Sequence, residues 1–339
     1  MTRVLVTGAN GFIGRALCQY LVDRQVRVEG CVRQLPDELI AGGAVPLHEI
    51  GEIDATTDWR PLLKECTAVV HLAARVHVLR ETDAAAERAY RLVNARATEN
   101  LARQAAECGV GRFVYLSSIK VNGEATYGKP FTPDDRPNPQ DAYARSKYQA
   151  EQALRAIADS SDLQVVIIRP PLVYGPGVKG NFLRLLQWVE RHWPLPLKAI
   201  ANRRALLGVE NLCDFIYTTL RHPAASGRVW LVADDCELST PELIERLACG
   251  MEQSSRLWPL PEPILRAVGT LLGQRAAVER LCNSLQIDRT ATETLLGWHP
   301  PYSIADQIEK TLRWYFEEDD ATGEVFDEQA SGDVFDDLP

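Results

Sequence analysis

One stretch, TGANGFIG at residues 7–14, constrains this chain more than any other. It follows a short apolar run, RVLV, the mark of a buried strand. It leads into FIGRALCQYLVD, where Phe12, Ile13, Ala16, Leu17, Tyr20 and Leu21 recur at helical spacing. The backbone must therefore turn sharply from strand into helix. Gly8, Gly11 and Gly14 permit that turn, and a side chain on the middle glycine would block a ligand from reaching the helix N–H groups. Such N–H groups favour a pyrophosphate. A glycine triplet alone is a weak signal; placed at the first strand–helix junction, it is a dinucleotide-binding signal.

The rest of the N-terminal half keeps the same alternation. VRVEGCV, TAVVHLAA, RFVYLSS and LQVVIIRP read as strands. AAAERAYRLVNARATENLARQAAECGV reads as one long helix closed by Gly109, and AYARSKYQAEQALRAIA as another. Strands alternating with long helices predict an α/β, Rossmann-type doubly wound parallel sheet over residues 1–170. After Pro170 the pattern changes to a Pro/Gly-rich loop and shorter elements, interrupted at Trp193, Pro194 and Pro196. This predicts a smaller C-terminal substrate-binding cap over residues 171–204 and 233–316, with the chain returning to the main sheet at about 205–232. The stretch RLWPLPEPILRAVGTLLG, residues 256–273, is amphipathic and is expected to pack inside that cap rather than against a membrane.

Composition sets limits on function. The opening residues do not form a signal peptide, and no apolar run approaches the about 18 residues of a membrane span. The eight cysteines are scattered without CxxC spacing, and the six histidines show neither HExxH nor HxH. No metal site is expected, and a reducing cytoplasm fits. The net charge of −9 comes from the C-terminus: residues 317–339 hold ten acids and no Lys or Arg. Without them 36 acids face 37 bases. This tail reads as disordered, and within it GEVFDE is echoed nine residues later by GDVFDD. No basic stripe with interleaved aromatics points to nucleic acid.

DAYARSK places Tyr143 and Lys147 four residues apart, on one face of a helix. A free phenol titrates near ~10, too high for a base at neutral pH. A lysine ammonium and a positive nicotinamide ring nearby favour the phenolate. A packing tyrosine beside a lysine is the other reading of the same spacing. The strand ending in LSSIKV puts Ser117 and Ser118 at the carboxyl edge of the sheet, where open α/β folds bind ligands. A hydroxyl there can steady an oxygen that gains or loses a proton.

These motifs together resemble the extended short-chain dehydrogenase/reductase family, in its NAD-dependent epimerase/dehydratase, UDP-glucose 4-epimerase-like branch. TGxxGxxG, HLAA, the helix asparagine, Ser with Tyr-x-x-x-Lys, RPPLVYGPG and LLGWHPP occur in the family's order, from about residue 2 to residue 300. The resemblance implies that Gly8, Gly11, Phe12, Ile13 and Gly14 hold a pyrophosphate. It implies that Glu52 and Ile53 lie beside adenine, and that Leu72, Ala73, Ala74, Asn94 and Pro170 lie along the cofactor. It makes Ser118, Tyr143 and Lys147 the catalytic triad, with Tyr143 as general base or acid. It assigns Asn181 and Arg204 to the diphosphate of a UDP-sugar, for which arginine's forked donors are suited. A homodimer is also implied.

Two positions depart from the family. Asn122 stands where SSxxVYG would place tyrosine, and Leu172 where epimerases often carry asparagine; both bear on sugar specificity. The general look resembles bacterial enzymes of O-antigen and capsule synthesis, including reductases of UDP-4-keto-2-acetamido-2,6-dideoxyhexoses. The position that would carry an acid for an NAD ribose falls on Val32, followed by Arg33, which can pair with a 2′-phosphate. NADP(H) is therefore favoured, with NAD(H) the alternative. The leading expectation is an NADPH-dependent 4-keto sugar nucleotide reductase. The alternative is a UDP-hexose or UDP-N-acetylhexosamine 4-epimerase with retained NAD. The third is a catalytically idle NADP-binding sensor, against which the intact triad argues; Asn181 and Arg204 weigh against a reductase of hydroxylated aromatic ketones.

Overall fold

The computed structural model describes residues 3–36, 40–75 and 83–322. Nine strands are described: β1 (Arg3–Thr7), β2 (Arg27–Val32), β3 (Leu47–Glu49), β4 (Ala68–His71), β5 (Arg112–Leu116), β6 (Gln164–Arg169), β7 (Leu172–Tyr174), β8 (Leu206–Gly208) and β9 (Arg228–Leu231). Seven of them form one sheet in the order β3-β2-β1-β4-β5-β6-β9, every pair parallel. The order reverses between β1 and β4, so the crevice of a doubly wound sheet opens at their carboxyl ends.

Successive side chains of a strand face opposite ways. Val4 and Val6 of β1 enter one core with Val70, Val114, Val166 and Ile168, whereas Leu5 enters the other with Val69, Phe113 and Ile167. Both faces are apolar, so both must be covered. Helix α1 (Phe12–Asp23) is the first cover. A short α2 (Arg60–Leu63) follows β3. The long helix expected between β4 and β5 is not uniform: α3 (Asp83–Tyr90) passes through a π-helical stretch, Arg91–Arg96, into α4 (Ala97–Glu107). Helix α5 (Ala142–Asp159) packs beside α4.

Beyond β6 the chain builds a second core, the cap, and returns to the sheet's core twice, around β9 and again at Ala291, Leu296 and Trp298. The cap holds α6 (Asn181–Glu190); then α7 (Val209–Arg221) packs on α1, and β9 joins the main sheet next to β6. After β9 come α8 (Thr240–Gly250), α9 (Glu262–Leu271), α10 (Arg275–Cys282), α11 (Thr290–Leu296) and α12 (Ile304–Thr322). Phe182, Leu186, Ile244, Leu247, Ile308 and Leu312 form the cap's core. Phe12 packs against both this core and the sheet's, so the glycine turn is clamped between them. From residue 323 onward the acidic tail, with both of its echoed motifs, lies outside the described residues.

The expectation for residues 256–273 needs correction. Leu265 and Gly269 of α9 do pack inward, and a Cβ on Gly269 would lie 2.5 Å from Val278 Cγ2. The neighbouring face does not: Ile264, Val268 and Leu271 are 50%, 41% and 85% exposed. The cap is too thin at this edge to cover a second side of the helix.

Candidate active site

The glycine turn is held by close contacts with the backbone. Gly8 adopts φ +69, a left-handed conformation open to glycine at little cost. A Cβ on Gly14 would lie 2.1 Å from the Gly8 carbonyl oxygen. Gly11 is different: its added Cβ meets only that same oxygen, at 3.2 Å, and otherwise faces open space. The side chain of Gly11 is therefore absent where a ligand would approach the first N–H groups of α1, which no side chain caps. A Cβ on Gly8 would lie 3.0 Å from the Ala73 nitrogen, which puts Leu72 and Ala73 against the turn. A dinucleotide's pyrophosphate fits this cradle.

At the far end of β2 the geometry bears on the ribose. Val32 is the strand's last residue, and Arg33 follows it. Residues 50 and 51 continue beside them through Ile50 N–H to Val32 O and Gly51 N–H to Arg33 O. Glu52 is thereby brought to 3.2 Å from Arg33, both side chains well exposed. Ile53 packs against the core under β4. Glu29 lies inside the strand, bonded to Arg3 and His48, and does not reach the tip.

The candidate reactive residues converge through β5 and α5. Asp141 caps α5 by accepting from the Ala144 N–H at 2.6 Å, which fixes Tyr143 in the first turn. One turn on, Lys147 is buried and donates to the Leu116 carbonyl at 2.9 Å, at the end of β5. Its Nζ lies 5.8 Å from the Tyr143 ring centre and 4.8 Å from that of Tyr115. Burial pushes the Lys147 ammonium down to about 7, with the Glu151 carboxylate opposing. Burial raises the Tyr143 phenol well above its ordinary range, and Asp141 and Tyr90 add to this. A positive charge placed beside the phenol is what would bring it back toward neutral pH.

The two serines part company. Ser118 is half-buried at the edge, where its hydroxyl accepts from the Lys120 N–H at 3.2 Å. Ser117 turns inward and donates to Glu151 at 2.5 Å. Glu151 is in turn paired with Arg169 through Nε at 2.9 Å and Nη2 at 2.5 Å, both side chains almost wholly buried. Arg169 also donates to Asn122 at 2.8 Å, and Asn122 donates to the Thr132 carbonyl. The departure at Asn122 therefore completes a buried network. The departure at Leu172 lies in β7 and packs toward the cap core.

Asn94, within the π-helical stretch, has its amide fully engaged. Its oxygen accepts from the Arg75 N–H, and its NH₂ donates to the Arg75 carbonyl and to Ser146. It therefore ties the loop after β4 to α5. Behind it runs a chain that the sequence motifs do not disclose. Thr7 Oγ1 accepts from the Leu72 and Ala73 N–H groups, so its own proton goes to His71 Nδ1 at 2.7 Å. His71 Nε2 then donates to Thr98, which donates to the Asn94 carbonyl. Burial holds the His71 imidazole neutral, its pKa pushed down to about 3, with Lys147 adding. The fold's preference for neutral His71 is fully present above the unfolded pKa of 6.5 and is lost as pH falls toward 3. Between pH ~7.5 and ~5, urea titrations should show about 2 kcal/mol less loss of stability in His71→Gln than in the parent.

In the cap, Asn181 is the first residue of α6, after Gly180 at φ +65. Arg204 donates through Nη1 to the Arg280 and Asn283 carbonyls at 2.5 and 3.1 Å. Burial lowers its pKa to about 10, with Glu124 opposing and Arg280 adding. Glu124 pairs with Lys120 at 3.4 Å, and Lys120 with Asp141 at 2.9 Å. A line of alternating charges thus runs from Arg204 to the cap of α5. Pro170 sits where β6 ends, and its carbonyl accepts from the Ile119 N–H. Among the described residues no group of three or more His, Cys, Asp or Glu forms a metal site, and no helix is long and apolar enough to cross a membrane.

The sequence pattern of the NAD dependent epimerase/dehydratase family matches residues 4–233. The chain is 40% identical to a UDP-glucose 4-epimerase of Vibrio cholerae, over 93% of this chain and 95% of that one. It is 24% identical to an N-acetyl-alpha-D-glucosaminyl-diphospho-ditrans,octacis-undecaprenol 4-epimerase of Escherichia coli, over 92% and 95% of the two chains. Its fold superposes on the crystal structure of a UDP-glucuronic acid 4-epimerase from Bacillus cereus in complex with NAD, with TM-score 0.73, 20% identity, and coverage of 94% and 99%.

Proposed function

The chain belongs to the NAD-dependent epimerase/dehydratase family, within the extended short-chain dehydrogenases/reductases, and from that premise we propose that it is a 4-epimerase of a UDP-hexose or UDP-N-acetylhexosamine, working with a retained NAD. The observation that carries this reading is the set of Ser118, Tyr143 and Lys147 at the β5–α5 edge, in a chain 40% identical over nearly its whole length to a UDP-glucose 4-epimerase. Gly8, Gly11, Phe12, Ile13 and Gly14 would hold the pyrophosphate, with Leu72, Ala73, Ala74 and Pro170 alongside it. When bound there, the dinucleotide would supply the acceptor and donor for the C4 hydride.

The protein's own groups handle the proton and the charge. Tyr143, as phenolate, accepts the proton from the sugar's O4 as C4 becomes a carbonyl, and returns it when the sugar has turned over. Lys147 keeps the phenolate form accessible and is itself placed by the Leu116 carbonyl. Ser118 donates a hydrogen bond to O4, steadying negative charge as it develops. Asn181 and Arg204 hold the diphosphate while the sugar rotates. The enzyme works as a homodimer in the cytoplasm.

A second reading, NADPH-dependent reduction of a UDP-4-keto-2-acetamido-2,6-dideoxyhexose, is favoured by one observation, the Val32–Arg33 tip of β2. The residues alone put this reading first. Glu52 now stands at 3.2 Å from Arg33 and offsets the charge that would attract a 2′-phosphate. Together with the epimerase relatives, this reverses the order. Incubation with UDP-glucose, UDP-GlcNAc and the 4-keto-6-deoxy form of UDP-GlcNAc, with and without NADPH, separates the two. The expected result is an isomeric sugar nucleotide without net cofactor turnover; NADPH consumption with a reduced sugar would establish the second reading, and neither outcome would remove both. Arg33→Asp should raise the preference for NAD(H) over NADP(H) by about tenfold or more, measured by calorimetry, because a carboxylate repels the 2′-phosphate and accepts from a 2′-hydroxyl.

A further inference from the structure

The exposed edge of the cap carries more apolar surface than a solvated helix would. From residue 258 to residue 273 the exposed side chains are Trp258, Pro259, Pro261, Pro263, Ile264, Ala267, Val268, Thr270, Leu271 and Leu272, with no charge among them. The stretch contains two charged residues, Glu262 and Arg266, and they pair with each other at 2.6 Å. Ile264, Val268 and Leu271 follow i, i+4, i+7 spacing and form one face of α9. Contiguous exposed apolar surface of this kind marks an interaction site.

The surroundings say what covers it. Residues 193–198 and 256–258 are joined by backbone bonds, Leu195 N–H to Arg256 O, Trp258 N–H to Leu195 O and Lys198 N–H to Trp258 O. This rim adds the exposed Trp193, stacked on Trp188, to the exposed Trp258. Residues 191–200 and 253–261 supply the exposed cations Arg191, Lys198 and Arg256 and not one acid. Of the bordering acids, Glu190 accepts from Tyr315 and Glu262 is held by Arg266, while Glu252 is exposed. An uncharged helix face, indole rings at its margin and a cationic rim are the chemistry of a helix lying in a bilayer interface, with anionic headgroups at the rim. We propose that α9 and the rim formed by residues 191–200 and 253–261 dock the cap onto an anionic lipid surface.

Full-length protein sedimented with vesicles of phosphatidylglycerol and phosphatidylethanolamine tests this, because it reads binding without any sugar nucleotide. Binding is expected to exceed that to phosphatidylcholine vesicles and to fall in high salt. Val268→Glu with Leu271→Glu should lower the partition by roughly tenfold or more. Lys198→Glu with Arg256→Glu should lower it on the anionic vesicles and remove the salt dependence. Both doubles keep the parent's melting temperature and turnover, since these side chains lie on the surface. No sedimentation of the parent, or unchanged sedimentation of Val268→Glu with Leu271→Glu, overturns the proposal. So does a concentration-dependent dimer that this variant dissociates without any vesicle binding, which would make the face an interface between two copies.

Discussion

Tyr143→Phe is expected to lower turnover by about 10²–10⁴-fold while leaving dinucleotide affinity within a few-fold of the parent. On the proposed reading the phenol exchanges a proton with the sugar oxygen, and phenylalanine keeps the ring that packs edge-on against Tyr90 at 6.2 Å. The glycine turn and the wall of Leu72 and Ala73 belong to other elements, so the pyrophosphate cradle does not depend on the hydroxyl. Turnover is read from product formation and affinity from calorimetry. Retained turnover would remove Tyr143 from its role. Lys147→Met should have a related effect through a different cause, raising the pH needed for activity, because the phenolate loses its neighbouring cation.

The second large effect is structural. Glu151→Leu is expected to cost roughly 3–5 kcal/mol in urea unfolding. The carboxylate holds Arg169 by two bonds and Ser117 by a third, with no exposure to water. Leucine leaves the Arg169 guanidinium charged in an apolar interior with Asn122 as its remaining named acceptor. The double variant Glu151→Leu with Arg169→Met should recover most of that loss, since an isolated buried charge costs more than the absence of the pair. If the double variant is as unstable as the single, the cost lies in packing and not in charge.

The fold was legible because its signals are local. The glycine turn, the apolar strands and the helical spacing each occupy one segment, and their alternation leaves few ways to assemble a sheet. The grouping of the candidate trio was legible for the same reason: Tyr143 and Lys147 share one helix face, and Ser118 lies two residues past the end of the strand to which Lys147 is bonded. The chain from Thr7 through His71 and Thr98 to Asn94 was not legible. Its members are common residues from three elements, and only the pairing of β1 with β4 brings them together. The buried Arg169–Glu151 pair has no local signal, because an arginine at a strand end and a glutamate in a helix look the same whether or not they meet inside. The contact of Asn122 with Arg169 was not legible either, since the two positions lie 47 residues apart. The outward face of α9 was assigned to the interior because amphipathic spacing tells which residues share a face and not how many faces a neighbour covers.

The π-helical stretch from Arg91 to Arg96 has a consequence for how this helix can change. Each residue advances a helix by about 100° and 1.5 Å. A π-turn holds one residue more than the α-helix around it. Deleting one residue within 91–96 would let the ladder close as continuous α-helix with little rotation of either flank, because the wider turn is what absorbs the extra residue. Tyr90 would keep its place against the Tyr143 ring and α4 its seat on the sheet. What would change is the aim of the side chains within the stretch, where Asn94 reaches Arg75 and Ser146. The extra residue is thus a local pointer, spent on directing side chains inside the stretch and not on seating the helix at either end.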